Sequence, residues 1–523
     1  WHDVHCALWG PPCRDVARHF VQRWNHAKRN KASNEHGIPL LMPHHHMVLP
    51  HYIRSKKIEI ENDNGEVAKR ESCEQNSPST PLPIQDIPLL LPQEAPTQCC
   101  SPTSYEVTNY DPDGFSFRDA KPNSETSESS DELNLDSDSH ISSECSDVSD
   151  DSSMDHSQAG PSCACMCQIV RSVSHWSAGT SLPEDSIHRA YCSIIQNAEH
   201  FIFIENQFFI SGLQGDDTIQ NRVLDALHKR ILQAHNENKC FRVIIILPLL
   251  PGFQGGVDDS GAATVRAIMH WQYRAISREK TSILHVLTSS LGSKARDYIS
   301  FFGLRTYGKL HQDGPLATSQ IYVHSKLMIV DDRITLIGSS NINDRSLLGS
   351  RDSEIGVVIE DKEFIESSMN GQPWMAGKFA HSLRRSLWSE HLDLCGEELH
   401  KINDPIADST YEDVLLATAK ENSAIFQEVF GCLPDDRIPS RAALRQHRNL
   451  KKTKMGSNTI DLGIALEKME YKVNGEEKVI ETMERLKSVK GHLVSFPLEF
   501  MRQEDLRPTI NEGEFYTSPH VFH

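Results

Sequence analysis

Val323-His324-Ser325-Lys326-Leu327-Met328-Ile329-Val330-Asp331, followed by Gly338-Ser339-Ser340-Asn341, is the stretch on which the fold of this 523-residue chain turns. It has the form His-x-Lys-x4-Asp, then Gly-Ser-x-Asn. Residues 321–330 are rich in β-branched and aliphatic side chains and read as one strand. Side chains two apart share a face, so His324 and Lys326 point the same way. Asp331-Asp332-Arg333 is a polar break suited to a tight turn. Residues 334–337 read as the returning strand, and Ser339 and Asn341 leave its end two residues apart. A hairpin of this kind gathers an imidazole, an ammonium, a hydroxyl and an amide.

That set suits a phosphodiester. A neutral imidazole attacks phosphorus or protonates a leaving alkoxide near working pH. Lys326 neutralises phosphate oxygens as a point charge. Ser339 and Asn341 donate hydrogen bonds to the charge that develops in the transition state. Asp331 ends the strand and is expected to fix local structure. Glu354 opens another apolar strand, 355–359, and its carboxylate is the expected partner for the second ring nitrogen of His324.

These residues resemble the second catalytic motif of the phospholipase D superfamily. Further stretches narrow the resemblance to eukaryotic phosphatidylcholine-hydrolysing phospholipases D: Ile202-Phe203-Ile204-Glu205-Asn206-Gln207-Phe208-Phe209, Leu247-Pro248-Leu249-Leu250-Pro251-Gly252-Phe253, Ala267-Ile268-Met269-His270, Asn341-Ile342-Asn343-Asp344-Arg345-Ser346 and Arg351-Asp352-Ser353-Glu354. The resemblance implies an α/β fold with a mixed sheet flanked by helices. It implies a two-step reaction through a phosphohistidine that releases choline and phosphatidic acid, with transfer to primary alcohols. No metal or cofactor is required for that chemistry; a phosphoinositide activator is implied. His324, Lys326 and Asp331 are then the catalytic motif, with His324 as acid and base. Ser339, Asn341 and Glu354 bind or orient the phosphate, and Glu205, Asn206 and Gln207 line the substrate. The implied partners are a phospholipid membrane surface, small GTPases and kinases, without nucleic acid.

Family members carry two such motifs, and this sequence shows one. His26-Ala27-Lys28 is a decoy, because Ser33 stands where Asp is needed. Trp1-His2-Asp3-Val4 resembles the segment after a first motif, and the run from Arg18 to Asn25 resembles the helix that ends the first half. The expectation is a C-terminal fragment, inactive or nearly so alone. Four regions follow: a first-half remnant, 1–52; an insert, 53–168; the second catalytic half, 169–400; and a helical C-terminal extension, 401–523.

The formal charge of −19 is concentrated in the insert. Residues 121–156 are Ser-rich and acidic, and 74–100 are rich in Pro and Ser. Such segments bury too little apolar surface to offset their ordering entropy and read as disordered. Ser129, Ser130 and Ser149 precede acidic residues and suit an acid-directed kinase. Scattered, odd-numbered cysteines point to a reducing cytoplasmic compartment, with peripheral attachment to intracellular or plasma membranes implied by the resemblance. Cys163-Ala164-Cys165-Met166-Cys167 reads as linker, with reversible acylation as the alternative.

Past the insert the pattern alternates between strands and helices. Strands are expected at 201–204, 243–247 and 298–302, and helices at 218–234, 262–277, 378–391, 413–419 and 477–489. Residues 491–497 resemble the family's closing strand. Trp271 and Tyr273 read as core rather than as a choline cage. Arg18, Arg23, Lys28, Arg29 and Lys31 are a basic cluster, a solvated face or a phosphoinositide contact. His44-His45-His46 reads as loop. The competing functions are a nuclease or phospholipid synthase of the same superfamily, and a non-catalytic phospholipid-binding scaffold.

Overall fold

The computed structural model describes residues 1–31, 33–34, 36–41, 163–259, 262–312, 314–455, 463–465, 468–473 and 476–507, with the side chains of 450–455 and 468–480 left aside. The proposed kinase sites, the triple histidine and most of the insert lie outside these residues. The strands are β1 (Cys165–Val173), β2 (Glu184–Asp185), β3 (Phe201–Asn206), β4 (Arg242–Ile246), β5 (Ile299–Lys309), β6 (Leu316–Ile321), β7 (Lys326–Val330), β8 (Ile334–Gly338), β9 (Glu354–Asp361), the hairpins β10 (Phe364–Met369) with β11 (Gln372–Gly377) and β12 (Lys468–Val473) with β13 (Glu476–Glu481), and β14 (Leu493–Ser495).

One large sheet runs in the order β14-β5-β4-β3-β7-β8-β9-β1-β2, with β6 paired to β5. β3, β4 and β5 are mutually parallel, and β3 meets β7 antiparallel. The parallel centre follows from helical crossovers: α3 (Val223–Asn236) joins β3 to β4, and α4 (Ala263–Tyr273) and α5 (Ile283–Leu291) lie between β4 and β5. Both faces are covered, which is why the central strands are continuous apolar runs. Ile202, Ile204, Val243, Ile245, Met328 and Val330 enter one core beneath α2 (Ser186–Asn197), α3 and α4. Phe201, Phe203, Ile244, Ile246, Leu327 and Ile329 enter the other, against Trp388 and Leu392 of α6 (Lys378–Leu392). The expected α/β class, with a mixed sheet between helices, is what the chain forms.

The hairpin β7–β8 is tightened by Asp331 and Asp332, at φ 54° and 51°, with Arg333 N–H donating to Val330 O at 2.9 Å. Two left-handed residues make the turn that matches strand twist, and Asp tolerates that region better than most. Asp332 is fully buried, and Arg384 of α6 meets both its oxygens at 2.7 Å. Arg384 also donates to Ile402 O at 2.7 Å and Asn403 O at 3.2 Å. The turn is thereby fixed to the helix beneath it.

Several local expectations are corrected. The single strand 321–330 is two strands, β6 and β7, separated by Tyr322 to Ser325. β6 pairs with β5, while β7 enters the sheet between β3 and β8, so the chain must change neighbours between them. Helix 218–234 begins later, at Val223, because Asp216 accepts from Thr218 N and Ile219 N and holds that run as a turn. Helix 262–277 ends its α geometry at Tyr273 and continues as a π turn, Arg274–Arg278. Of the expected helix 477–489, residues 477–481 belong to strand β13 and Thr482–Leu486 is helical. Cys165 and Cys167 are not linker: they lie on β1, in register with Asp361 and Ile359 of β9. Burial pushes the Cys165 thiol up to about 12, so it is a poor nucleophile.

Candidate active site

The sheet brings three strand ends together. β3 ends in Glu205 and Asn206, and Asn206 stands opposite Lys326 at the start of β7. β8 ends at Gly338, opposite Gly356 of β9, and Ser339 N–H donates to Ile355 O at 3.0 Å. Backbones crowd here: a Cβ at Gly338 would lie 2.7 Å from Ile355 O and 2.8 Å from Gly356 Cα. Glycine at this point lets Ser339 turn toward the site without splaying the strands.

His324 lies in the break before β7, and a distant segment fixes it. His2 forms a parallel bridge with Val323; His2 N–H donates to Tyr322 O at 2.9 Å and His324 N–H to His2 O at 2.7 Å. Asp3 then meets the ring: Nδ1 of His324 is 2.9 Å from Asp3 Oδ2. A carboxylate only accepts, so Nδ1 carries the proton and Nε2 is the nitrogen left for chemistry. The Asp3 carboxyl is held below its usual range, the hydrogen bond from His324 and the amide of Val4 outweighing desolvation. Trp1 packs over the imidazole with ring centroids 4.5 Å apart.

Lys326 is 7 % exposed. Its ammonium donates to Gln207 Oε1 at 3.1 Å and to the carbonyl of His324. Burial lowers its pKa to about 8, against the pull of Asp3 and Glu354. The charge is therefore present at neutral pH and lost as pH rises through that value. If Lys326 binds phosphate, kcat/KM should decline on an alkaline limb near pH 8, and Lys326→Arg should move that limb upward. A pH profile of both proteins measures this; an unmoved limb argues against the role.

His324, Lys326, Asp3 and Ser339 line one open cleft of about 590 Å³. Val4, Leu8, Ile337 and Val357 give it an apolar wall. Ser339 is exposed, and its hydroxyl donates to Glu354. Glu354 also accepts from Ser346 Oγ at 2.9 Å, and burial raises its pKa. Asn341 is half-buried and is not part of the cleft lining; its Oδ1 is buried without a hydrogen-bond partner.

Three sequence expectations change here. The partner of the second ring nitrogen of His324 is Asp3, not Glu354, which is turned onto the two serines. Asp331 takes no part in the cleft: its oxygens accept from Glu199 N and His200 N at 2.7 Å and Phe201 N at 2.8 Å, capping the start of β3. Burial pushes that carboxyl up to about 6 against the three amides. Glu205 and Asn206, expected to line the substrate, are fully buried, and only Gln207 of that trio reaches Lys326. The decoy His26 sits on α1 (Pro12–Lys31), with its Nε2 2.9 Å from Trp176 O. Asp331→Ala strands three amides and should cost about 3 kcal/mol. Denaturant unfolding measures it, and a loss below about 1 kcal/mol would remove Asp331 from the frame.

Glu205 meets two imidazoles, His2 Nε2 at 2.9 Å and His391 Nε2 at 2.7 Å. The three offer ligand-type atoms within 4.8 Å of one another. Those separations are hydrogen-bond distances, and the carboxylate and ring N–H groups satisfy each other. Trp271 packs against a core cluster, and Tyr273 is buried with its hydroxyl on Pro497 O at 2.7 Å; both behave as packing residues.

The family model Phospholipase D matches residues 123–432. The chain belongs to the phospholipase D family. It is 62 % identical over 538 aligned positions to Phospholipase D zeta 2 of Arabidopsis thaliana, covering all of this chain and 48 % of that protein. Phospholipase D zeta 1 of the same plant is 59 % identical over 543 positions, covering all of this chain and 50 % of that one. Human Phospholipase D1 is 41 % identical over 347 positions, covering 66 % of this chain and 30 % of that one. The chain thus spans about half the length of the zeta relatives. No helix among the described residues is long and apolar enough to cross a membrane.

Proposed function

We propose that this chain supplies one catalytic half of a phospholipase D that cleaves the distal phosphodiester of phosphatidylcholine, giving phosphatidic acid and choline. The observation that carries the reading is the pair His324–Asp3 beside the buried ammonium of Lys326, in a chain of the phospholipase D family. An imidazole with one nitrogen tied to a carboxylate and the other facing a cleft is set up for proton transfer. The apolar wall beside that polar floor suits a phosphate joined to acyl chains.

In this reading His324 enters the first step protonated on both nitrogens and gives its Nε2 proton to the leaving choline oxygen, while a second histidine, from a second His-x-Lys-x4-Asp motif, takes the phosphoryl group. His324 then removes a proton from water, or from a primary alcohol, to resolve the phosphohistidine. Lys326 holds phosphate oxygens through both steps, and Asp3 keeps the His324 ring in the useful tautomer. Neither step needs a resident metal.

The test is choline release from phosphatidylcholine vesicles with a primary alcohol present to trap the transfer product. The chain is assayed alone and mixed with a separately made polypeptide carrying a second motif. Choline and phosphatidyl-alcohol formed together support the reading. Vesicle binding without either product, from folded proteins, would favour the scaffold instead.

A further inference from the structure

We infer that Glu205 is a positioning residue for His324: its buried carboxylate clamps His2, and the clamped segment presents Asp3 to the ring nitrogen. This rests on His324 being the acid and base of the site.

Glu205 is fully buried and does not line the cleft. Burying a carboxylate is costly, and a well-packed apolar side chain at the same place is commonly at least as stable. Glu205 instead joins three separate pieces of chain. From β3 it holds His391 near the end of α6 at 2.7 Å and His2 at 2.9 Å. His2 is the residue whose backbone brackets the active-site turn, donating to Tyr322 O and accepting from His324 N. Asp3 follows directly, and its oxygen is on His324 Nδ1. Glu205, His2, Asp3 and His324 therefore form one relay, with the cleft reached only at its far end.

Charge supports the direction of the relay. The groups facing His2 are Glu205 from β3, Glu390 and His391 from α6, and Asp3 beside it; Glu390 Oε1 lies 3.5 Å from His2 Nδ1. His2 thus has a carboxylate toward each ring nitrogen and is the natural cation of the cluster. Although burial opposes it, the hydrogen bond and charge of Glu205 raise the His2 pKa above its ordinary value. Glu205 is correspondingly pushed down by its two imidazoles. For a raised His, the clamp is complete below the ordinary His range and is lost as pH rises through the raised value.

Site-resolved carbethoxylation of the intact chain by diethyl pyrocarbonate, followed by peptide mass spectrometry, tests this without any turnover. An inactive chain leaves the result intact, so failure of the catalytic reading and failure of the relay are separable. His324 is 32 % exposed and open to the reagent, and exposed His285 on α5 is the internal control. Asp3→Asn sets the scale by releasing the ring directly. His2→Asn and Glu205→Gln should each lower the His324 labelling rate about fivefold, the size of one orienting hydrogen bond, because the proton is then no longer held on Nδ1 and Nε2 is less often bare, with His285 unchanged. In the wild-type chain the difference from Asp3→Asn should narrow as pH rises through the His2 titration. In Glu205→Gln it should be absent at every pH. If Glu205→Gln does not fold, His2→Asn decides alone. Unchanged His324 labelling in a folded His2→Asn chain overturns the inference. So does a chelator that brings wild-type labelling to the variant level, since a bound metal would then hold the cluster.

Discussion

Replacing His324 by alanine should lower choline release about 1,000-fold or more, in the chain alone or supplemented with a second motif, whichever turns over. The size follows from the site. Asp3 ties Nδ1 at 2.9 Å, and in the proposed reaction the ring is the acid–base group beside Lys326 in the cleft. His5 also lines the cleft, but Asp3 is committed to His324. The leaving alkoxide of choline is a poor leaving group without a proton, so the loss falls on the chemical step. Stability should hardly change, because His324 is 32 % exposed and half of its anchorage is backbone. A melting temperature within about 2 °C of the parent checks that. A tenfold loss or less would place the acid elsewhere.

Arg384→Leu should destabilise the fold by about 3–5 kcal/mol, the usual cost of leaving one buried ion unpaired. Arg384 and Asp332 are both fully buried, and the guanidinium also satisfies the carbonyls of Ile402 and Asn403. It stacks near Trp388, with its centre 4.9 Å from the ring centroid. Removing it strands a carboxylate at the left-handed tip of the β7–β8 hairpin and two carbonyls beneath it. The paired change Asp332→Leu with Arg384→Leu should recover part of the loss, because no charge is then stranded. Urea unfolding of the three proteins measures both values. A single-variant loss under about 1 kcal/mol would mean that the turn is held by other contacts.

The frame was legible where one local signal sufficed. The apolar runs at 201–204 and 243–247 meant strands, the second covered on both faces, and they are β3 and β4. The two aspartates after Val330 meant a turn, and it is a tight hairpin with both residues left-handed. His324 and Lys326 were readable from spacing alone, and both face the cleft. What failed depended on distant chain. The break at Tyr322 to Ser325 exists because β6 and β7 have different neighbours, which local β propensity does not report. Glu354 was the natural guess for the imidazole partner, being close in sequence. The true partner, Asp3, is 321 residues away and no spacing rule reaches it. Its one signal is the run Trp1-His2-Asp3, whose resemblance to the segment after a first motif says nothing of its partner. Glu205 reads as a substrate-lining residue because it lies at a strand end, yet its carboxylate turns inward between His2 and His391.

The most direct measurement compares two substrates in His324→Ala and its parent, phosphatidylcholine and phosphatidyl-p-nitrophenol. Nitrophenolate leaves without a proton, whereas choline needs one. If His324 is the general acid, the variant loses about 1,000-fold on phosphatidylcholine but keeps the rate of the first-turnover nitrophenol burst within about tenfold of the parent, with slow turnover after it because resolving the phosphohistidine also uses His324. An equal, large loss in that burst as well would contradict that role, and His324 would then be the nucleophile or a structural residue.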